Sequence, residues 1–102
     1  MHLKNCGGDM REKQIEQKFV KAVKAMGGIA LKFISHGYDG MPDRLVLMPN
    51  GRIGFVEVKA QRQKPRPLQV SRHRLLRNLG FKVYVLDDAE QIGGIIHDIQ
   101  SP

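Results

Sequence analysis

The sequence predicts an α/β domain, a mixed central sheet flanked by helices, with its elements in the order α-β-β-β-α-β. Three observations predict it. Ile15, Phe19, Ala22, Val23 and Met26 recur at helical spacing and form one apolar stripe. Three short apolar runs follow, two of them joined by Pro49-Asn50-Gly51, a strong hairpin signal. A second helical stretch then leads into a last strand-like run ending at Leu86. A chain of 102 residues fits one domain with one modest core.

Residues 1–9 read as a flexible leader and residues 10–102 as the domain. The first helix is expected over 10–26, with Asp9 as its cap and Glu12 completing a box-like start. Gly27-Gly28 ends it. The first strand is expected over 29–34. Residues 35–42 form a loop by their glycines and Pro42. The second and third strands are expected over 43–48 and 53–59. Lys64-Pro65-Arg66-Pro67 is a stiff basic linker. A second helix over 67–79 carries Leu68, Leu75, Leu76 and Leu79 as its apolar stripe, and Gly80 stops it. The last strand spans 81–86. A short terminal helix over 89–96 is weakened by Gly93-Gly94.

Composition narrows the function classes. Hydrophobic residues make up 41% of the chain, so it reads as globular. No apolar run reaches the roughly 18 residues of a membrane span, and no signal-peptide pattern opens the chain, so a cytoplasmic protein is expected. Cys6 is the single cysteine, which excludes an intrachain disulfide and a cysteine-based zinc site. The net charge is +7 and the isoelectric point lies near 9.9. Between Lys59 and Lys82 the chain carries Arg62, Lys64, Arg66, Arg72, Arg74 and Arg77, with His73 among them and no acid. A one-sign block points to a polyanion, nucleic acid first. Aromatics are 6%, too few for a base-stacking platform.

Chemistry concentrates on the hairpin. Side chains alternate along a strand, so Phe55, Glu57 and Lys59 share one face while Val56 and Val58 share the other. A three-residue loop centred on Asn50 sets Asp43 opposite Glu57, with Cβ atoms about 4.5–5.5 Å apart. Two carboxylates so placed repel unless a proton or cation sits between them. A two-residue Asn50-Gly51 loop instead sets Arg44 opposite Glu57, an ordinary ion pair. Local pattern leaves both registers open. Lys59 reads either as a surface partner of Glu57 or as a cation that orients a water and stabilises phosphate charge. Glu12 reads as a cap or as a site residue. His36 and Asp39 lie in a glycine-rich loop where polar residues also serve turns. His73 reads as a phosphate neighbour, and His2 and His97 as bystanders.

Pro42-Asp43, the fourteen-position step to Glu57, and Glu57-Val58-Lys59 resemble the PD-(D/E)xK nuclease motif. Gly40-Met41-Pro42-Asp43-Arg44-Leu45, Phe55-Val56-Glu57-Val58-Lys59-Ala60, Pro67-Leu68-Gln69 and Leu79-Gly80-Phe81-Lys82-Val83-Tyr84-Val85 together resemble the VRR-NUC family, the virus-type replication-repair nucleases, in their small phage type. The likeness runs from about Met10 to Asp88. It implies a restriction-endonuclease-like PD-(D/E)xK core and a structure-selective DNA endonuclease. Mg²⁺, or Mn²⁺ in its place, would be held by Asp43, Glu57, the Val58 carbonyl and Glu12, with Glu16 as an alternative first-helix acid. Lys59 matches the catalytic lysine and Gln69 the glutamine that opens the second helix and faces the active site. The family further implies branched DNA as substrate, Holliday junctions above all, and a homodimer. Arg62, Lys64, Arg66, Arg72 and Arg74 are the expected phosphate contacts. Ala60-Gln61-Arg62 departs from the Ala-Pro-Gly that many relatives carry after the motif lysine.

Overall fold

A computed structural model describes residues 10–102. The leader reading, with Cys6, His2 and the Asp9 cap, lies outside the described residues. The elements are α1 (Glu12–Ala25), β1 (Ile29–Lys32), β2 (Arg44–Met48), β3 (Arg52–Val58), α2 (Pro67–Asn78), β4 (Lys82–Leu86) and α3 (Ile92–Gln100). Short 3-10 turns fill Pro49–Gly51 and Ala89–Gln91.

The predicted order holds, with two corrections at the ends. Helix α1 begins at Glu12, and its start is built on Gln14, whose Oε1 accepts the Arg11 N–H at 2.9 Å. Gln14 therefore fills the place expected of Glu12. The terminal helix is α3, later and longer than expected. Ile92, Ile95, Ile96 and Ile99 are buried along it, so packing outweighs the cost of Gly93-Gly94. Among the described residues no helix is long and apolar enough to cross a membrane.

The four strands lie in the order β1-β2-β3-β4. The first two pairings are antiparallel, and β3 pairs with β4 in parallel. Alternation sorts the sheet into two faces. On one, Ala30, Val46, Met48, Val56, Val58 and Leu86 pack against Ile15, Phe19 and Val23 of α1 and the isoleucines of α3. On the other, Phe55 and Val83 pack with Leu76 of α2, flanked by Phe33, Met41 and Leu45. Phe55 meets Phe33 and Phe81 edge to face, each at 5.8 Å.

Of the four expected leucines, helix α2 buries only Leu76. Leu68, Leu75 and Leu79 are exposed, while Gln69, His73 and Leu76 face the sheet. These three sit at i, i+4 and i+7, one helical face. The helix is turned this way because its first turn meets a buried carboxylate that needs donors, described below.

Both main helices stop on a glycine. After α1 the Gly27 N–H reaches Lys24 O and the Gly28 N–H reaches Val23 O, each at 3.0 Å, and Gly27 has φ 86. Gly80 ends α2 in the same way. Gly28 has a second constraint. A Cβ there would sit 2.4 Å from Met48 Sδ and 2.6 Å from Leu47 O. Backbone cannot yield as a side-chain tip can, so Gly28→Ala should destabilise the fold by about 1–3 kcal/mol, an overpacking cost. Chemical denaturation of both proteins checks this, and an unchanged midpoint would refute it.

Candidate active site

The hairpin register decides between the two readings of Asp43. Arg44 pairs with Val56, Leu45 with Phe55 and Met48 with Arg52, the register of a three-residue loop. Asn50 and Gly51 both take positive φ, 67° and 72°. One step further along, Asp43 lies opposite Glu57. Arg44 turns to the other face of the sheet, where its Nη2 and Nε meet Glu16 Oε2 at 2.8 and 3.1 Å and its Nη1 donates to Ala30 O at 3.0 Å. The Arg44–Glu57 ion pair does not form.

Asp43 sits just before β2, held from both sides. Its carbonyl accepts the Phe33 N–H at 2.8 Å. Its Oδ1 accepts the Val58 N–H at 3.1 Å, so a side chain stands in for the strand partner that β2 no longer provides. The Lys59 N–H points the other way, to Leu86 O on β4 at 2.8 Å. The peptide joining Val58 and Lys59 is trans, so its carbonyl is directed away from β4 and toward Asp43.

Glu57 is 3% exposed in the middle of the sheet. Its Oε2 accepts Gln69 Nε2 at 3.0 Å and lies 3.4 Å from Lys59 Nζ. Gln69 is occupied at both ends of its amide, since its Oε1 accepts the Arg66 N–H at 2.8 Å and closes the first turn of α2. One residue thus starts the helix and holds one oxygen of the carboxylate. Glu57 Oε1 is buried with no hydrogen-bond partner, and His73 Nε2 faces it at 3.9 Å. His73 is 2% exposed, so it is not the phosphate neighbour expected from its arginine surroundings. Its signal in the sequence is the step of four from Gln69.

The pair is electrostatically loaded. Burial first, then the Glu57 charge, pushes the Asp43 carboxyl up from 3.8 to about 7, and the more distant Glu16 and Glu12 add to the rise. The Val58 N–H opposes them. Among the described residues no group of three or more His, Cys, Asp and Glu side chains is spaced to hold a metal ion. Glu12 lies exposed in the first turn of α1 and acts on Asp43 as a charge. Glu16 is taken up by Arg44. The donors that fit a hard cation are therefore Asp43, the unpartnered oxygen of Glu57 and the Val58 carbonyl, an all-oxygen set with two negative charges.

The expected phosphate contacts divide. Lys64, Arg66 and Arg74 are exposed around the start and outer face of α2. Arg62 stands at φ 70, a left-handed conformation that glycine adopts without strain. Arg72 serves the loop that leads to Asp43. Its Nε donates to Asp39 O at 2.8 Å and its guanidinium lies 3.9 Å over the Tyr38 ring. His36 is exposed in that loop. Gln61 ties three segments together: it exchanges bonds with the Met10 backbone at 3.0 and 3.2 Å and donates to Asp88 Oδ2 at 3.3 Å. The departure from Ala-Pro-Gly thus brings a structural cross-link with it.

A four-stranded mixed sheet between helices, with Asp43 facing Glu57 and Lys59 beside it, defines a restriction-endonuclease-like domain of the PD-(D/E)xK type. Comparison with known proteins narrows the class. A solved structure described as a VRR_NUC domain matches with a TM-score of 0.81 and 34% identity, covering 86% of this chain and 96% of that one. A curated protein of Acyrthosiphon pisum secondary endosymbiont phage 1, "Putative nuclease p44", is 51% identical over 81 residues, 79% of this chain and 87% of that protein. No family model matches. The chain belongs to the VRR_NUC domain family.

Proposed function

We propose that the protein is a metal-dependent, structure-selective DNA endonuclease that acts on branched DNA, Holliday junctions above all, as a homodimer in the host cytoplasm. The observation that carries the nuclease reading is the geometry around Glu57. A buried carboxylate is braced by Gln69, neighboured by Lys59 and opposed by a second carboxyl that keeps its proton up to about pH 7. Such a pair is costly in a structural role and suited to a cation.

Asp43, Glu57 and the Val58 carbonyl would hold Mg²⁺ or Mn²⁺, with Glu12 as a further candidate. When bound, the cation supplies Lewis-acid stabilisation of charge on the scissile phosphate. Lys59 orients the attacking water and adds positive charge on the side from which it approaches. Gln69 holds Oε2 of the Glu57 carboxylate. Arg62, Lys64, Arg66 and Arg74 track phosphates, and contacts of that kind favour recognition of DNA shape. Arg72 acts on DNA through the loop it pins.

An exposed apolar row supports the homodimer. Ile29 pairs with Leu47 and Leu47 with Ile53, and the β3–β4 register carries the row on to Phe81. Ile29, Ile53 and Phe81 are 55%, 41% and 43% exposed, on the α2 face of the sheet. A two-fold pair of chains would present two sites to a two-fold junction.

Cleavage of synthetic junction, flap, duplex and single-stranded DNA, with Mg²⁺ or EDTA, tests this reading. Wild type should make paired symmetric cuts in the junction and none in EDTA, and Asp43→Asn should make none. Sedimentation should give twice the 11.5 kDa chain mass. Cuts confined to flaps would instead make the protein a flap or nicking nuclease of broader specificity. Binding without cleavage of any DNA would overturn the enzyme.

A further inference from the structure

The buried side of the site holds two polar atoms without a hydrogen-bond partner, one of them on His73, which the mechanism above leaves unused. His73 Nε2 and Glu57 Oε1 are shut off from solvent, neither has a hydrogen-bond partner, and they face each other at 3.9 Å. A buried polar atom left unpaired has lost its water without a replacement, which is unfavourable. Two such atoms pointing at each other can satisfy one another by an approach of about 1 Å, to the usual hydrogen-bond length.

The geometry of α2 makes that approach specific. Gln69 and His73 are one turn apart and stack on the same helical face. Gln69 already donates to Glu57 Oε2. His73 is aimed at the other oxygen of the same carboxylate. A carboxylate has about four lone-pair positions, so one donor on each oxygen still leaves positions for a cation. Donors on both oxygens stop the group from rotating about its terminal bond, which a single donor does not.

We propose that His73 is a positioning residue for Glu57: its Nε2–H closes onto Glu57 Oε1 when the site takes up a cation, and with Gln69 it locks the plane of the ligating carboxylate. The inference rests on the nuclease reading above. Partners of this kind are worth about 10–100-fold in metal affinity or activity.

The test compares full-length wild type, H73L and H73Q. Leucine fills the space without a donor, and glutamine restores a donor near Nε2. Mn²⁺ binding without DNA, read by electron paramagnetic resonance of the free ion, should weaken about 10–100-fold in H73L and return toward wild type in H73Q. The turnover number for junction cleavage should follow the same order, with KM for DNA unmoved. Unchanged Mn²⁺ affinity in H73L overturns the proposal, as does an equal loss in two folded variants. Should the variants fail to fold, nitrogen-15 spectra of Mg²⁺-loaded wild type decide. A slowly exchanging proton on Nε2 supports the clamp, and a proton only on Nδ1 overturns it. A wild type that neither binds Mn²⁺ nor cuts DNA overturns the nuclease reading and this one with it. An active wild type with an indifferent H73L overturns this one alone.

Discussion

Lys59→Ala should lower the single-turnover rate of DNA cleavage about 10²–10³-fold, the usual loss when one preorganised charge at a reacting centre is removed. The position of the side chain explains the size. Its backbone N–H is the last bond from β3 to β4, so the side chain leaves the strand where pairing ends. It stays on the Glu57 face, with Nζ 3.4 Å from Glu57 Oε2. Alanine takes that charge away from a site already carrying two carboxylates. DNA binding should change little, because binding is shared among many phosphate contacts. Rate and binding measured on one substrate separate the two effects. A variant that cuts at the wild-type rate would remove Lys59 from the mechanism, and a proportional loss of binding would make it one phosphate contact among several.

The second large effect is on stability. Without metal, Asp43 in the folded protein keeps its proton up to about pH 7, whereas the unfolded chain releases it near 3.8. Between those values the folded state binds more protons, so stability falls as pH rises through the interval. At about 1.36 kcal/mol per unit the full interval would be worth about 4 kcal/mol. The partly solvated position of Asp43 reduces that to ~2 kcal/mol. The range from pH 5 to pH 8 covers about two thirds of that interval, so in EDTA the melting temperature should drop by roughly 5–10 °C across it. Asp43→Asn should flatten the profile, because an amide cannot titrate. Saturating Mg²⁺ should flatten it too, because the second carboxylate charge then has a counter-charge. A slope that survives Asp43→Asn would place its origin elsewhere.

Both effects depend on a register that local pattern left open, although Pro49 contained the answer. A two-residue Asn50-Gly51 loop makes Pro49 and Arg52 the closing pair of the hairpin, and proline has no N–H to give it. The three-residue loop puts Pro49 inside the turn instead. The strands, the first helix and the motif residues were legible because each depends on near neighbours in sequence. The inward polar face of α2 was legible only at Gln69, and there through the family resemblance rather than from pattern. Hydropathy favoured Leu68, Leu75 and Leu79, but the helix turns Gln69 and His73 inward to a carboxylate that lies twelve and sixteen residues earlier. What selects that face is the demand of a buried charge for donors, a tertiary requirement that a helical stripe does not record. Arg72 was misleading for a related reason. Its charge matched the basic block, while its contacts are a ring and a carbonyl in the loop before Pro42.

The bond from the Val58 amide to Asp43 Oδ1 has a consequence for how the sheet breathes. Elsewhere in β3 an amide is held by another strand's backbone and opens only when strands part. At Val58 it is held by the carboxylate proposed to carry the cation. Hydrogen exchange at this one amide therefore follows the side chain of Asp43 rather than the unzipping of strands. A fluctuation that frees Asp43 also frees the end of the ladder, so the protein cannot loosen its candidate active site without fraying its central strand.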